Sequence, residues 1–201
     1  DGTATITELQ ALRADGLHKY RFPVAFSIFY KPGDAPAIQQ NTFKVLRGHA
    51  VEGYIDPTLV WLVGRAYAEA GLLEIEREVS ILQSLASSAR DRSVLYLPHR
   101  ADREEKLARL GALGIRVAAF GPTFETRLLS SKNRPARICG IASTALLTGR
   151  LLSPESTVCA VRLSPTPNRA YDVFADQAET MGLIVLTEDC VLSNQIEIDL
   201  V

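Results

Sequence analysis

The residues of this chain that could do chemistry sit directly after apolar, β-prone runs. Val94-Leu-Tyr-Leu-Pro98 leads into His99-Arg100. An imidazole at a strand end can donate a hydrogen bond to a phosphate oxygen or deliver a proton to a leaving group, and a neighbouring guanidinium adds charge to the same place. Ala136-Arg-Ile-Cys-Gly140-Ile-Ala leads into Ser143-Thr144 and then into an apolar helical stretch. Two hydroxyls beside the unpaired N–H groups of a helix start suit an anion, most naturally a phosphate. Ser143 would serve equally as an ordinary N-cap. Glu125 follows a third run, in Gly121-Pro-Thr-Phe-Glu125. A carboxylate there can accept hydrogen bonds from ribose hydroxyls, and it also suits the first turn of a helix through the macrodipole. The other two histidines, His18 and His49, lie in irregular stretches without evident partners.

Several chemistries have no support. No GxGxxG or Walker-type loop is present, so a dinucleotide or ATP site is not indicated, and no HExxH, Cys/His cluster or GxSxG elbow occurs. Cys139, Cys159 and Cys190 are widely spaced and form no CxxC pair. They suggest neither a disulfide framework nor a zinc site, and a reducing, cytoplasmic setting is expected.

The elements that must position these residues can be read from the pattern. β-prone runs occur at Val60–Val63, Val94–Leu97, Ile115–Phe120, Ala136–Ile141, Val158–Leu163 and Leu183–Thr187. Helical periodicity separates them at Glu74–Ala89, Asp102–Leu113, Phe124–Ser130, Ser143–Leu152 and Tyr171–Met181. In the second of these, Leu107, Leu110 and Leu113 recur behind the polar run Arg103-Glu-Glu-Lys106, and Gly114 closes the helix. Apolar strands without polar alternation, alternating with helices, mean a parallel sheet covered on both faces. Residues 58–201 are therefore expected to form an α/β Rossmann-like domain. Its ligand cleft should be lined by the residues after each strand: Gly64-Arg65, Pro98–Arg100, Gly121–Glu125, Ala142–Thr144 and Ser164-Pro165. Before position 58 the chain is irregular. Ile6–Ala14 could be a short helix and Phe22–Tyr30 a buried strand, whereas Lys31–Pro36 and Tyr54–Pro57 read as turns.

With 22 Lys and Arg against 23 Asp and Glu, there is no electrostatic case for a general nucleic-acid binder. At 47% hydrophobic residues the chain is not disordered, and no apolar run reaches the roughly 20 residues of a membrane-spanning helix. It begins at Asp1 and its single methionine is Met181, so it reads as part of a longer protein.

Taken in order, Tyr-Leu-Pro-His99-Arg100, then Phe-Glu125, then Arg-Ile-Cys-Gly140-Ile-Ala-Ser143-Thr144-Ala-Leu-Leu-Thr resemble the bacterial sialyltransferases, in particular the α-2,8-polysialyltransferase-like and lipooligosaccharide sialyltransferase-like proteins. Trp61-Leu-Val-Gly64, a strand ending in Gly before a helix, is similar too, and Asp1-Gly2 looks like the tail of the family's acidic–acidic–Gly motif. Arg100 stands where the family's His-Pro motif has Pro. The resemblance covers Asp1-Gly2 and roughly 60–165.

What it implies is a GT-B glycosyltransferase that moves sialic acid from CMP-sialic acid to a glycan acceptor, with inversion and without metal or cofactor. Asp1 would be the catalytic base. His99 would be catalytic too and would hold the phosphate with Arg100, Ser143 and Thr144; Glu125 would hold the ribose, and Gly64 and Gly140 would belong to the nucleotide-binding framework. Residues 1–57 would be a remnant of the acceptor-side domain and 58–201 the CMP-sugar-binding domain, working in the cytoplasm or at the inner face of the cell membrane, on bacterial surface polysaccharide. Three readings stay open beside it: a transferase using another CMP-activated acid sugar such as CMP-Kdo, a non-catalytic nucleotide- or carbohydrate-binding domain, and an unrelated flavodoxin-like domain.

Overall fold

The computed structural model describes residues 41–193 apart from 90 and 168, together with 196 and the backbone of two short strands, β1 (Ala25–Ser27) and β2 (Ile38–Gln40). Asp1, Gly2, His18 and the helix expected over Ile6–Ala14 lie outside the described residues. The chain divides into two compact units, 1–41 and 42–201. In the first, β1 and β2 pair in parallel.

The second unit begins before position 58, because α1 (Lys44–Gly48) and the first half of β3 (Tyr54–Val63) belong to it. Tyr54–Pro57 reads as a turn in sequence but lies in the strand. The turn chemistry survives as an irregularity: pairing with β6 (Asn133–Ile141) shifts register between Asp56 and Val60, around Pro57, which has no N–H to give the ladder. Asp56 Oδ1 accepts from the Thr58 N–H at 2.9 Å and from its hydroxyl at 2.7 Å, closing a local turn inside the strand.

Six strands form one all-parallel sheet in the order β5-β4-β3-β6-β7-β8, where β4 is Ser93–Leu97, β5 Arg116–Val117, β7 Thr157–Arg162 and β8 Ile184–Thr187. This is the Rossmann-like order, counted outward from β3. Val60–Val63, Pro135–Ile141 and Val158–Val161 are each buried without a break, so both faces of the central strands are covered. The covering helices are α2 (Ile75–Ser87), α3 (Glu104–Ala112), α4 (Phe124–Ser130), α5 (Thr144–Leu152), α6 (Arg169–Thr180) and α7 (Glu188–Leu192). α2 packs against α3 and α7, and α4 against α5. Right-handed crossovers require such a split, because the chain runs outward from β3 to β5 and then returns past β3 to build β6, β7 and β8.

Local details follow the sequence at some positions and depart from it at others. Gly114 has φ +78 and ends α3, a left-handed position that a side chain would strain. The run Ile115–Phe120 contributes only Arg116-Val117 to the sheet, because this edge strand has β4 alone as neighbour; the remainder turns toward the ligand edge. On α3, Leu110 is fully buried, whereas Leu113, which caps its C-terminus, is exposed. Lys106, which the polar run Arg103–Lys106 would put in water, has no exposed surface at all. No helix among the described residues is long and apolar enough to cross a membrane.

Candidate functional site

A cavity of about 790 Å³ opens at the carboxyl ends of β3, β4, β5 and β6. Gly64-Arg65, Pro98-His99-Arg100, the segment Ala119–Glu125 with Arg127, and Ser143-Thr144-Ala145 line it. β3 and β6 are neighbours whose following segments leave in opposite directions, so this is the switch point where a doubly wound sheet opens a crevice. Four of the five strand-end segments named from sequence meet here. Ser164-Pro165 does not line the cavity; the Ser164 carbonyl accepts from Arg77 at 2.6 Å and its N–H donates to Glu188 at 3.1 Å.

His99 is half-buried at the cavity wall. Its Nδ1 accepts from the Ala101 N–H at 3.2 Å, which assigns the ring proton to Nε2 and leaves that N–H as the donor available to a ligand. Ser143 is buried and caps α5, its hydroxyl accepting from the Ala145 N–H at 3.3 Å. So Ser143 is an N-cap that also lines the cavity, and Thr144 beside it is exposed there. Glu125 lies in the first turn of α4, where its Oε1 accepts from the Thr148 hydroxyl at 3.0 Å; the second carboxylate oxygen remains for a ligand hydroxyl.

Arg100 is exposed on the wall, and two further guanidiniums join it. Arg65 donates to the Ala142 carbonyl at 3.0 Å and lies 5.0 Å from the Tyr67 ring centroid. Arg127 donates to the Ala119 carbonyl at 3.2 Å. Three arginines and a histidine against one carboxylate give the cavity wall an excess of positive charge and N–H donors, an electrostatic setting that suits an anion. Arg127 was not legible in sequence, because only the first turn of α4 folds it back over the segment after β5. Phe120, 57% exposed, offers a free aromatic face at the same edge.

The two glycines differ. Gly64 lines the cavity, and a Cβ there would meet the His99 nitrogen and the Leu97 carbonyl oxygen at 2.8 Å. Gly140 lies inside β6 and is not among the lining residues; a Cβ on it would stand 2.7 Å from the Val63 carbonyl oxygen, so it serves strand packing.

No protein-family model matches the chain, and no curated protein matches it. The site therefore stands on its own geometry.

Behind His99 lies a buried charged cluster. Asp102 Oδ2 accepts from the Tyr96 hydroxyl at 2.7 Å and from the His99 backbone N–H at 2.9 Å, while its Oδ1 is 2.6 Å from the Lys106 ammonium. Lys106 also pairs with Glu78 at 2.8 Å and Glu69 at 3.1 Å. Burial pushes the Glu78 carboxyl up, further than Lys106 and the Ala68 N–H pull it down. Burial works against the Lys106 charge, but its bonds to Asp102 and Glu78 outweigh this and hold its pKa above the usual lysine value. Nearby, burial raises the Tyr67 phenol to about 12 despite the Arg65 charge, so its hydroxyl stays a donor to the Ala142 carbonyl.

Proposed function

We propose that the cavity receives the CMP half of a CMP-activated acidic sugar, and that the chain is the nucleotide-binding half of a GT-B, sialyltransferase-like glycosyltransferase. One observation carries the reading: His99, Glu125 and the pair Ser143-Thr144, from three separate segments, line a single arginine-rich cavity at the sheet's switch point. These are the residues on which the resemblance to bacterial sialyltransferases rests.

In this reading the sugar leaves the nucleotide through an oxocarbenium-like state as an acceptor hydroxyl attacks its anomeric carbon. The bond from that carbon to the phosphate oxygen breaks, and its electron pair stays on CMP. Negative charge thus grows on the phosphate. The His99 Nε2–H, the Thr144 hydroxyl and the amides opening α5 stabilise it more as it grows, which lowers the barrier rather than merely tightening binding. Glu125 accepts from a ribose hydroxyl, Phe120 offers its ring to the base, and the arginines balance the phosphate and the sugar acid. The acceptor's proton goes to a base, the role that the resemblance gives to Asp1.

Calorimetric titration with CMP and a transfer assay with several CMP-sugars test this. Wild-type protein is expected to bind CMP, and His99→Ala to lose about a hundredfold in transfer. Absence of heat at millimolar CMP would overturn the proposal. The donor screen separates CMP-sialic acid from CMP-Kdo.

A further inference from the structure

We propose that Asp102 is the positioning residue of the site, the group that holds the His99 imidazole with Nδ1 as acceptor and Nε2–H as donor to the cavity. The assignment to CMP rests on the function proposed above; the tautomer does not.

The segment after β4 is closed on itself by three bonds. The Asp102 N–H donates to the His99 carbonyl at 2.9 Å, the Asp102 carboxylate accepts from the His99 N–H at 2.9 Å, and the Ala101 N–H donates to His99 Nδ1 at 3.2 Å. The first two run in opposite directions between the same two residues, so the His99 main chain is fixed at both of its polar groups. The turn that results aims the Ala101 N–H at Nδ1. An N–H there excludes a proton on Nδ1, and the remaining nitrogen must carry it.

Asp102 could not act this way if it were mobile. Its side chain is fully buried, and both oxygens are engaged, one by Tyr96 and His99 and the other by Lys106. Lys106 is in turn held by Glu78 from α2 and by Glu69, whose other oxygen accepts from the Arg103 N–H at 2.9 Å. The Glu78 carboxylate also accepts from the Ala68 N–H at 2.8 Å. One buried ammonium thus ties the segment after β3, which presents Gly64 and Arg65, to the segment after β4, which presents His99 and Arg100. A buried ion cluster of this kind is weak evidence for stability, and its better attested use is to specify one arrangement among several. Here the arrangement specified is that of the cavity's two neighbouring walls.

The experiment has two arms. In histidine-15N-labelled wild-type protein at pH 8, with His99 assigned by comparison with His99→Ala, the ring is expected as the Nε2–H tautomer; an Nδ1–H tautomer overturns the proposal. This arm needs no ligand, so it stands even if CMP fails to bind and the proposed function falls. In the second arm, CMP titrations of Asp102→Asn, alone and combined with His99→Ala, form a cycle. Asp102→Asn alone is expected to lower CMP affinity roughly tenfold, and to lower it several-fold less once His99 is gone. Equal losses in both backgrounds mean that Asp102 acts on the fold and not through His99, which overturns the proposal. Should Asp102→Asn fail to fold, Tyr96→Phe removes one of the donors holding the carboxylate and is read in the same cycle, with a smaller loss expected and the same reduction of that loss without His99.

Discussion

The Tyr96 hydroxyl stands 2.5 Å from where a side chain on Gly64 would begin. The residue directly after β3 therefore has to lack a Cβ, since that space belongs to the phenol holding Asp102. Gly64→Ala must displace Tyr96, and it also meets backbone on the His99 side, which yields less readily than a side chain. It is expected to destabilise by about 1–3 kcal/mol, as overpacked sites do. Urea unfolding gives the stability. CMP titration should show weaker binding as well, because the displaced groups are those that fix His99.

Lys106→Met should be among the most damaging substitutions in the chain. The methionine fills the same space, but Asp102, Glu78 and Glu69 then face one another with no cation between them. Breaking a buried pair by removing one partner costs about 3–5 kcal/mol. The pH dependence has a definite sign. Without the ammonium each carboxylate binds protons more tightly in the folded state, so the variant's folded form gains protons as pH falls. Its deficit against wild type should shrink between pH 7 and pH 5 in urea unfolding. A deficit independent of pH would mean that the loss is one of packing alone.

Lys106 also shows where reading the sequence stops. Periodicity on α3 correctly set Leu110 toward the core, and an apolar run without polar alternation correctly gave parallel strands, because both signals are local. Lys106 sits among charged residues in sequence, and its partners Glu69 and Glu78 come from other elements, so only the fold shows that it is buried. The strand-end rule found His99, Glu125 and Ser143 because a parallel sheet delivers every strand's end to one edge. It could not find Arg127, which returns to that edge by a helical turn. Tyr54–Pro57 was opaque for a third reason: Asp56 and Pro57 carry true turn chemistry, which the long strand absorbs as a register shift.

Arg77 and Glu188 make a second, independent test of the electrostatics, away from the cavity. The guanidinium Nε is 2.5 Å from Glu188 Oε1 and its Nη2 is 2.7 Å from Oε2, a bidentate pair joining α2 to the start of α7. Burial pushes the Glu188 carboxyl up, but the Arg77 guanidinium and the Ser164 N–H outweigh it and hold its pKa below the usual glutamate value. A depressed folded pKa means that the contribution is complete above the unfolded glutamate value of about 4.3 and fades as pH falls through the folded one. Arg77 is 37% exposed, so solvent screening keeps the pair to about 1 kcal/mol. Glu188→Gln should lose that amount at pH 7 and progressively less as the pH falls below about 4, as read by urea midpoints along a pH series.

Glu125 offers the sharpest check on what the cavity holds. The Thr148 hydroxyl occupies one carboxylate oxygen and fixes the side chain against α5, so the other oxygen presents an acceptor at a set position. If that acceptor meets a ribose hydroxyl, wild-type protein should bind CMP about tenfold more tightly than deoxy-CMP, the worth of one hydrogen bond to a charged group. Glu125→Ala should bind the two alike. Thr148→Val, which frees the carboxylate to rotate, should lie between them. Paired calorimetric titrations give all three ratios. Equal affinity of wild type for both nucleotides would remove Glu125 from the ribose while leaving His99 and the opening of α5 on the phosphate, because those groups contact a part of the ligand that the sugar does not change.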